Sequence, residues 1–140
     1  MACSTEDHIA IERLMYEYAR CADRKDYDGF SRVFLEDAVF DYRGETVTSF
    51  SAIRQMMHNL EHYSTTLHQV QNVLYDVDGD TAAGETYCLA SHLHQENGVV
   101  VKIDMGIVYR DELRRTAGGW RIARRAFDPL WTQTAPVDST

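Results

Sequence analysis

Between Thr65 and Phe127 the sequence falls into four extended runs separated by Asp78-Gly79, Asn97-Gly98 and Gly118-Gly119. An Asx-Gly pair between extended runs favours a hairpin, because both central residues of the tight turn need positive φ. Two Asx-Gly turns and one Gly-Gly turn in succession commit the second half of the chain to an antiparallel meander. One face of that sheet must then be covered by something else.

The first half has the opposite periodicity. Ile11, Leu14, Met15, Tyr18 and Ala22 recur at the spacing of one helix face. A second, short helix is expected over Tyr27, Phe30, Val33 and Phe34, with Asp26 as its N-cap. Ala38–Tyr42 reads as a strand, Arg43-Gly44 as a turn into ETVTS, and a third helix follows Ser49 or Ser51 with Ile53, Met56, Met57 and Leu60 on one face. The expected fold is α+β: a cone-shaped barrel in which three N-terminal helices pack on a strongly curved mixed or antiparallel sheet. Its interior is expected to be an apolar pocket suited to a small hydrophobic ligand.

Pro129 and Pro136 are the two prolines of the chain, and no low-complexity linker or repeat interrupts it. One domain over residues 6–131 is expected, with a loose tail over 132–140. Apolar residues at 44% and charged residues at 26% fit a soluble globular protein, and no apolar run is long enough to span a bilayer. The N-terminus lacks the basic-then-apolar pattern of a secretory signal, so a cytoplasmic location is expected. A net charge of -8 argues against nucleic acid as a partner, since phosphate contacts need a clustered basic surface. Cys3, Cys21 and Cys88 share no CxxC spacing and read as reduced thiols.

Four residues are candidates for chemistry. Asp23 ends the first helix at the edge of its apolar stripe, where the helix dipole opposes a carboxylate, so another group should hold it. His68 shares a strand face with Thr66, Val70 and Asn72 by alternation and could act as a general base if one ring nitrogen is oriented. Position alone favours a solvated acid for Asp23 and a satisfied histidine for His68. Arg124 and Arg125 point to opposite faces of the last strand, so one should enter the cavity, and Tyr18 lies on the buried helix stripe, where its hydroxyl needs a partner. DVDGD (76–80) resembles a calcium loop but its glycine comes too early, and a hairpin turn explains it better. His92 and His94 form an H-x-H on one strand face without an obvious third metal ligand, so no metal is expected.

The order IERLMYEYARCADRKDYDGFSRVFLEDAVFDYRG, STTLHQVQN and GGWRIARRAF resembles the SnoaL-like branch of the nuclear transport factor 2-like superfamily over residues 6–128. Its scytalone dehydratase, bile acid dehydratase and hexachlorocyclohexane dehydrochlorinase members pair an Asp at the end of the first helix with a His on the strand after the third. The resemblance places that pair at Asp23 and His68, the last-strand arginine at Arg125 and a tyrosine at Tyr18. It assigns no role to Cys88, His92, Met105 or Trp131. It implies a cofactor-independent lyase acting on a small hydrophobic, ring-bearing substrate, with an isomerase, a polyketide cyclase or a non-catalytic binding module as alternatives. It also implies a homo-oligomer, with a trimer favoured and a dimer as the alternative.

Overall fold

The computed structural model describes residues 3–138. In chain order these form α1 (Thr5–Arg24), a 3-10 helix (Asp28–Arg32), β1 (Phe34–Tyr42), β2 (Glu45–Thr48), α2 (Phe50–Met57), a second 3-10 helix (His58–His62), β3 (Thr65–Asp78), β4 (Thr81–Glu96), β5 (Val99–Thr116) and β6 (Gly119–Pro136). Ser4 starts α1 by accepting the Asp7 amide at 3.1 Å, and Glu6 and Asp7 lie in the first turn, where the helix dipole favours acids. At its other end Lys25 turns left-handed at φ 53°, and the Asp26 amide donates back to the Cys21 carbonyl at 2.9 Å. The buried face carries Ile11, Leu14, Met15, Tyr18 and Ala22, as the spacing predicts.

Among the described residues there are two α-helices where three are expected. Asp26 does accept the Gly29 amide at 3.0 Å, but the turn it opens is a five-residue 3-10 helix. The reason is non-local: Phe34 pairs with Ile122 of β6, which draws the end of the expected helix into the sheet. Ser49 caps α2 through the Ala52 amide at 3.2 Å, and Leu60 falls in the 3-10 turn that follows.

All six strands join one sheet in the order β2-β1-β6-β5-β4-β3. The β1–β6 pairing is parallel and every other pairing is antiparallel, so the sheet is mixed. Register shifts interrupt the β1–β6, β3–β4 and β5–β6 ladders, and bulges of this kind bend strands and raise their twist. The shift between Val70 and Val73 also changes which residues face inward. Thr66, His68 and Val70 point towards the helices as alternation predicts, but Asn72 is exposed and Tyr75 and Val77 take over the inner face. Residues 132–136, expected in a loose tail, continue β6 instead, with Thr132 opposite Met105 and Thr134 opposite Ile103. The long β5 supplies the partner that makes this extension possible. Among the described residues no helix is long and apolar enough to cross a membrane.

Candidate active site

The last turn of α1 lies against the first residues of β3, and the contact there is polar. Asp23 Oδ1 lies 2.7 Å from His68 Nδ1 and accepts the Thr66 hydroxyl at 3.0 Å, while Oδ2 accepts the His68 backbone amide at 3.0 Å. These three donors answer the question posed by a carboxylate at the unfavourable end of a helix. The His68 side chain is 6% exposed and that of Asp23 is 21% exposed. Asp23 keeps its outer edge towards a shallow dent shared with Tyr16, Arg20 and Arg24. With Nδ1 engaged by the carboxylate, the free nitrogen of the His68 ring is Nε2.

On its other side His68 lines a cavity of about 400 Å³ between the helices and the inner sheet face, within the range of small-molecule sites. Met56, Met57, Leu60, Ile103, Ile107 and Phe127 make most of its wall apolar. Tyr18 and Tyr109 also line it, and burial raises the pKa of both phenols, so each keeps its proton at neutral pH.

Arg125 enters the interior and Arg124 turns outward to Asp41, which settles the alternative left open by alternation. Arg125 is not among the residues lining the cavity, however. It is 1% exposed, donates to both oxygens of Asp111 at 2.8 and 2.6 Å, and places its guanidinium 4.3 Å from the Tyr18 ring centroid and 4.1 Å from that of Tyr109. The Tyr75 hydroxyl completes the cluster by donating to Asp111 at 2.7 Å. A direct contact between Arg125 and a ligand is therefore blocked by the tyrosines it stacks on. The arginine supports Tyr18 from behind the cavity wall.

His92 has a place in the site that the H-x-H reading missed. It lines the cavity, stands edge-on to His68 with ring centroids 5.5 Å apart, and is 9% exposed. Desolvation, reinforced by His68, lowers its pKa to about 4, so it is neutral at pH 7. Its buried Nδ1 has no hydrogen-bond partner among the described residues. Alternation with buried Cys88 and Ala90 on β4 was the available signal. Burial pushes the Cys88 thiol up to about 12, which leaves it inert as a nucleophile.

A helix-covered, curled mixed sheet around one apolar cavity, with a polar pair at its wall, defines the architecture of a small cavity-bearing α+β domain. A family model described as the SnoaL-like domain matches residues 4–126, and the chain belongs to this family, within the nuclear transport factor 2-like superfamily. An uncharacterized protein of Mycobacterium tuberculosis, Rv2910c, is 32% identical over 122 residues, which cover 85% of this chain and 82% of the relative. Among solved structures, one from Novosphingobium aromaticivorans described as a candidate aromatic ring hydroxylase is 31% identical, with a TM-score of 0.83 over 97% of this chain and 96% of that one. A candidate scytalone dehydratase from the same organism (22% identical, TM-score 0.81, 93% and 88% covered) and a type 2 hexachlorocyclohexane dehydrochlorinase (19%, 0.79, 98% and 95%) share the fold.

Proposed function

We propose that the protein is a lyase that performs β-elimination on a small hydrophobic, ring-bearing substrate in this cavity. The observation that carries the reading is the 2.7 Å contact between Asp23 and His68, made by a histidine that also lines the apolar chamber. An acid that holds one imidazole nitrogen fixes the tautomer and stabilises the imidazolium formed when the other nitrogen takes a proton. Two neighbours of the same fold bear the names of a dehydratase and a dehydrochlorinase, which accords with elimination. The reading follows the acid–base pair rather than the hydroxylase description of the 31% identical neighbour.

In the proposed step His68 Nε2 removes the proton from a carbon next to a carbonyl. The C–H electron pair becomes the new double bond as the bond to the β-hydroxyl breaks. Tyr18, kept protonated by burial, donates its proton to the departing oxygen, so water leaves. The imidazolium proton then returns to the phenolate, which resets both groups. Neutral His92 stands beside His68 in the cavity wall and adds no charge there. Arg125 acts through Tyr18, as a positioning residue.

The test is a panel of cyclic β-hydroxy ketones and alicyclic β-chloro compounds, followed by mass spectrometry for loss of water or hydrogen chloride. Elimination by the wild type is expected to fall by about 10²–10⁴-fold in His68→Ala and Asp23→Asn, with the circular dichroism spectrum retained. Tyr18→Phe is expected to lower it less. A folded His68→Ala variant that eliminates at the wild-type rate would exclude the mechanism.

A further inference from the structure

The cavity runs across the sheet. One end lies at β3 and β4, where His68 and His92 form the wall, and the other at the turn between β1 and β2, where Arg43 sits beside Tyr42 and Phe127. The Arg43 guanidinium lies 5.5 Å from both ring centroids, and its Nε donates to the Tyr42 hydroxyl at 3.2 Å. A guanidinium fixed in this way by two ring faces loses little further freedom when it binds something. Among the described residues no carboxylate comes within ion-pair distance of it; the same holds for Arg13, Arg24 and Arg121, but of these four Arg43 alone lines the cavity. The cavity lining contains no Asp or Glu, and Arg43 is its one side chain of fixed charge. Arg43 is exposed at the rim of the apolar chamber, so its charge faces whatever enters.

We propose that the cavity selects an amphiphilic organic anion: an apolar, ring-bearing body with a carboxylate at the end remote from His68, held by Arg43. This rests on the reading of the cavity as the substrate site and narrows its substrate class. A carboxylate loses hydration on approaching an apolar chamber, and the terminal nitrogens of Arg43 replace that hydration with charge-assisted hydrogen bonds. With the anion held at the β1–β2 turn, the apolar body extends towards β3 and β4, which brings its far end to the Asp23–His68 pair.

The experiment uses neutral N-phenyl-1-naphthylamine as a fluorescent occupant of the cavity. It is displaced either by 1-naphthaleneacetate or by 1-naphthaleneacetamide, which differs in having no charge. At low salt the carboxylate is expected to displace it at about fivefold lower concentration than the amide, the scale of a partly exposed charge pair. Arg43→Gln is expected to erase that preference, Arg43→Lys to keep most of it, and about 0.5 M salt to narrow it. A wild type that ranks the two competitors equally, or an Arg43→Gln variant that keeps the wild-type ranking, overturns the proposal. Met105→Trp, which fills the chamber, is expected to exclude the reporter; undiminished reporter binding in that variant places the probe elsewhere and also overturns it. None of these readouts involves turnover. An Arg43-dependent preference in a protein that eliminates nothing would therefore refute the lyase reading while leaving the anion site standing.

Discussion

Two opposite charges, Arg125 and Asp111, lie in the core with essentially no exposure, and each would be costly to bury alone. Their mutual bonds at 2.8 and 2.6 Å, the Tyr75 hydroxyl on Asp111 and the two tyrosine ring faces on the guanidinium offset that desolvation. The arrangement is asymmetric in its consequences, because removing one partner strands the other. Asp111→Asn leaves the cation buried beside a neutral amide, and is expected to lower the unfolding free energy by about 3–5 kcal/mol. Urea denaturation measures this as a fall in midpoint at unchanged slope. A loss below about 1 kcal/mol would mean that the rings and the Met15 Sδ, 3.0 Å from the guanidinium, hold Arg125 in place rather than the ion pair. The same cluster explains why a last-strand arginine in a cavity protein need not touch the ligand: here it fixes the angle of a tyrosine that does line the cavity.

At the level of elements, close approach within the sheet sets a limit that side-chain patterning does not reveal. Gly84 of β4 faces Tyr75 of β3, and a Cβ there would lie 2.1 Å from the Leu74 carbonyl oxygen and 2.7 Å from the Tyr75 Cα. Both are backbone atoms and cannot swing away. Gly84→Ala is expected to cost about 1–3 kcal/mol and to weaken the Tyr75–Asp111 contact with it, which chemical denaturation would check. A variant as stable as the wild type would show that the β3–β4 ladder yields locally. The elements legible in the sequence were those fixed by local rules: the apolar face of α1, the Ser49 cap and the hairpin turns. The second helix was not, because pairing of Phe34 with β6 decides it. The bulge after Val70 was also hidden, although alternation placed His68 correctly before it. Asp23 and His68 lie 45 residues apart, so their contact is a property of how α1 packs on β3, and resemblance had to suggest it.

For the molecule as a whole, the response of stability to acid follows from which groups resist protonation in the fold. His92 has a folded pKa of about 4, against an unfolded value near 6.5, because burial disfavours its charged form. Between those values the unfolded chain takes up a proton that the native protein refuses. Stability is therefore complete above about pH 6.5 and is lost as pH falls through the window towards 4, by about 3 kcal/mol at most. Asp7 acts in a separate window: its bonds from Arg115 and Trp120 hold its pKa at about 2, so its contribution is lost only as pH falls from 3.8 towards that value. The net charge of -8 works the other way in the first window, since mild acidification relieves self-repulsion. The two tendencies can be separated by His92→Gln, which alters one titrating group and leaves the acidic residues in place. With denaturation midpoints measured from about pH 7 to about pH 3, those of the wild type are expected to fall between about pH 7 and about pH 4 and those of the variant to stay flat there, while both decline below about pH 4 as the carboxylates protonate. Parallel profiles across the upper window would mean that His92 takes its proton in the folded state at an ordinary pH, and would put a charge in the cavity wall beside His68.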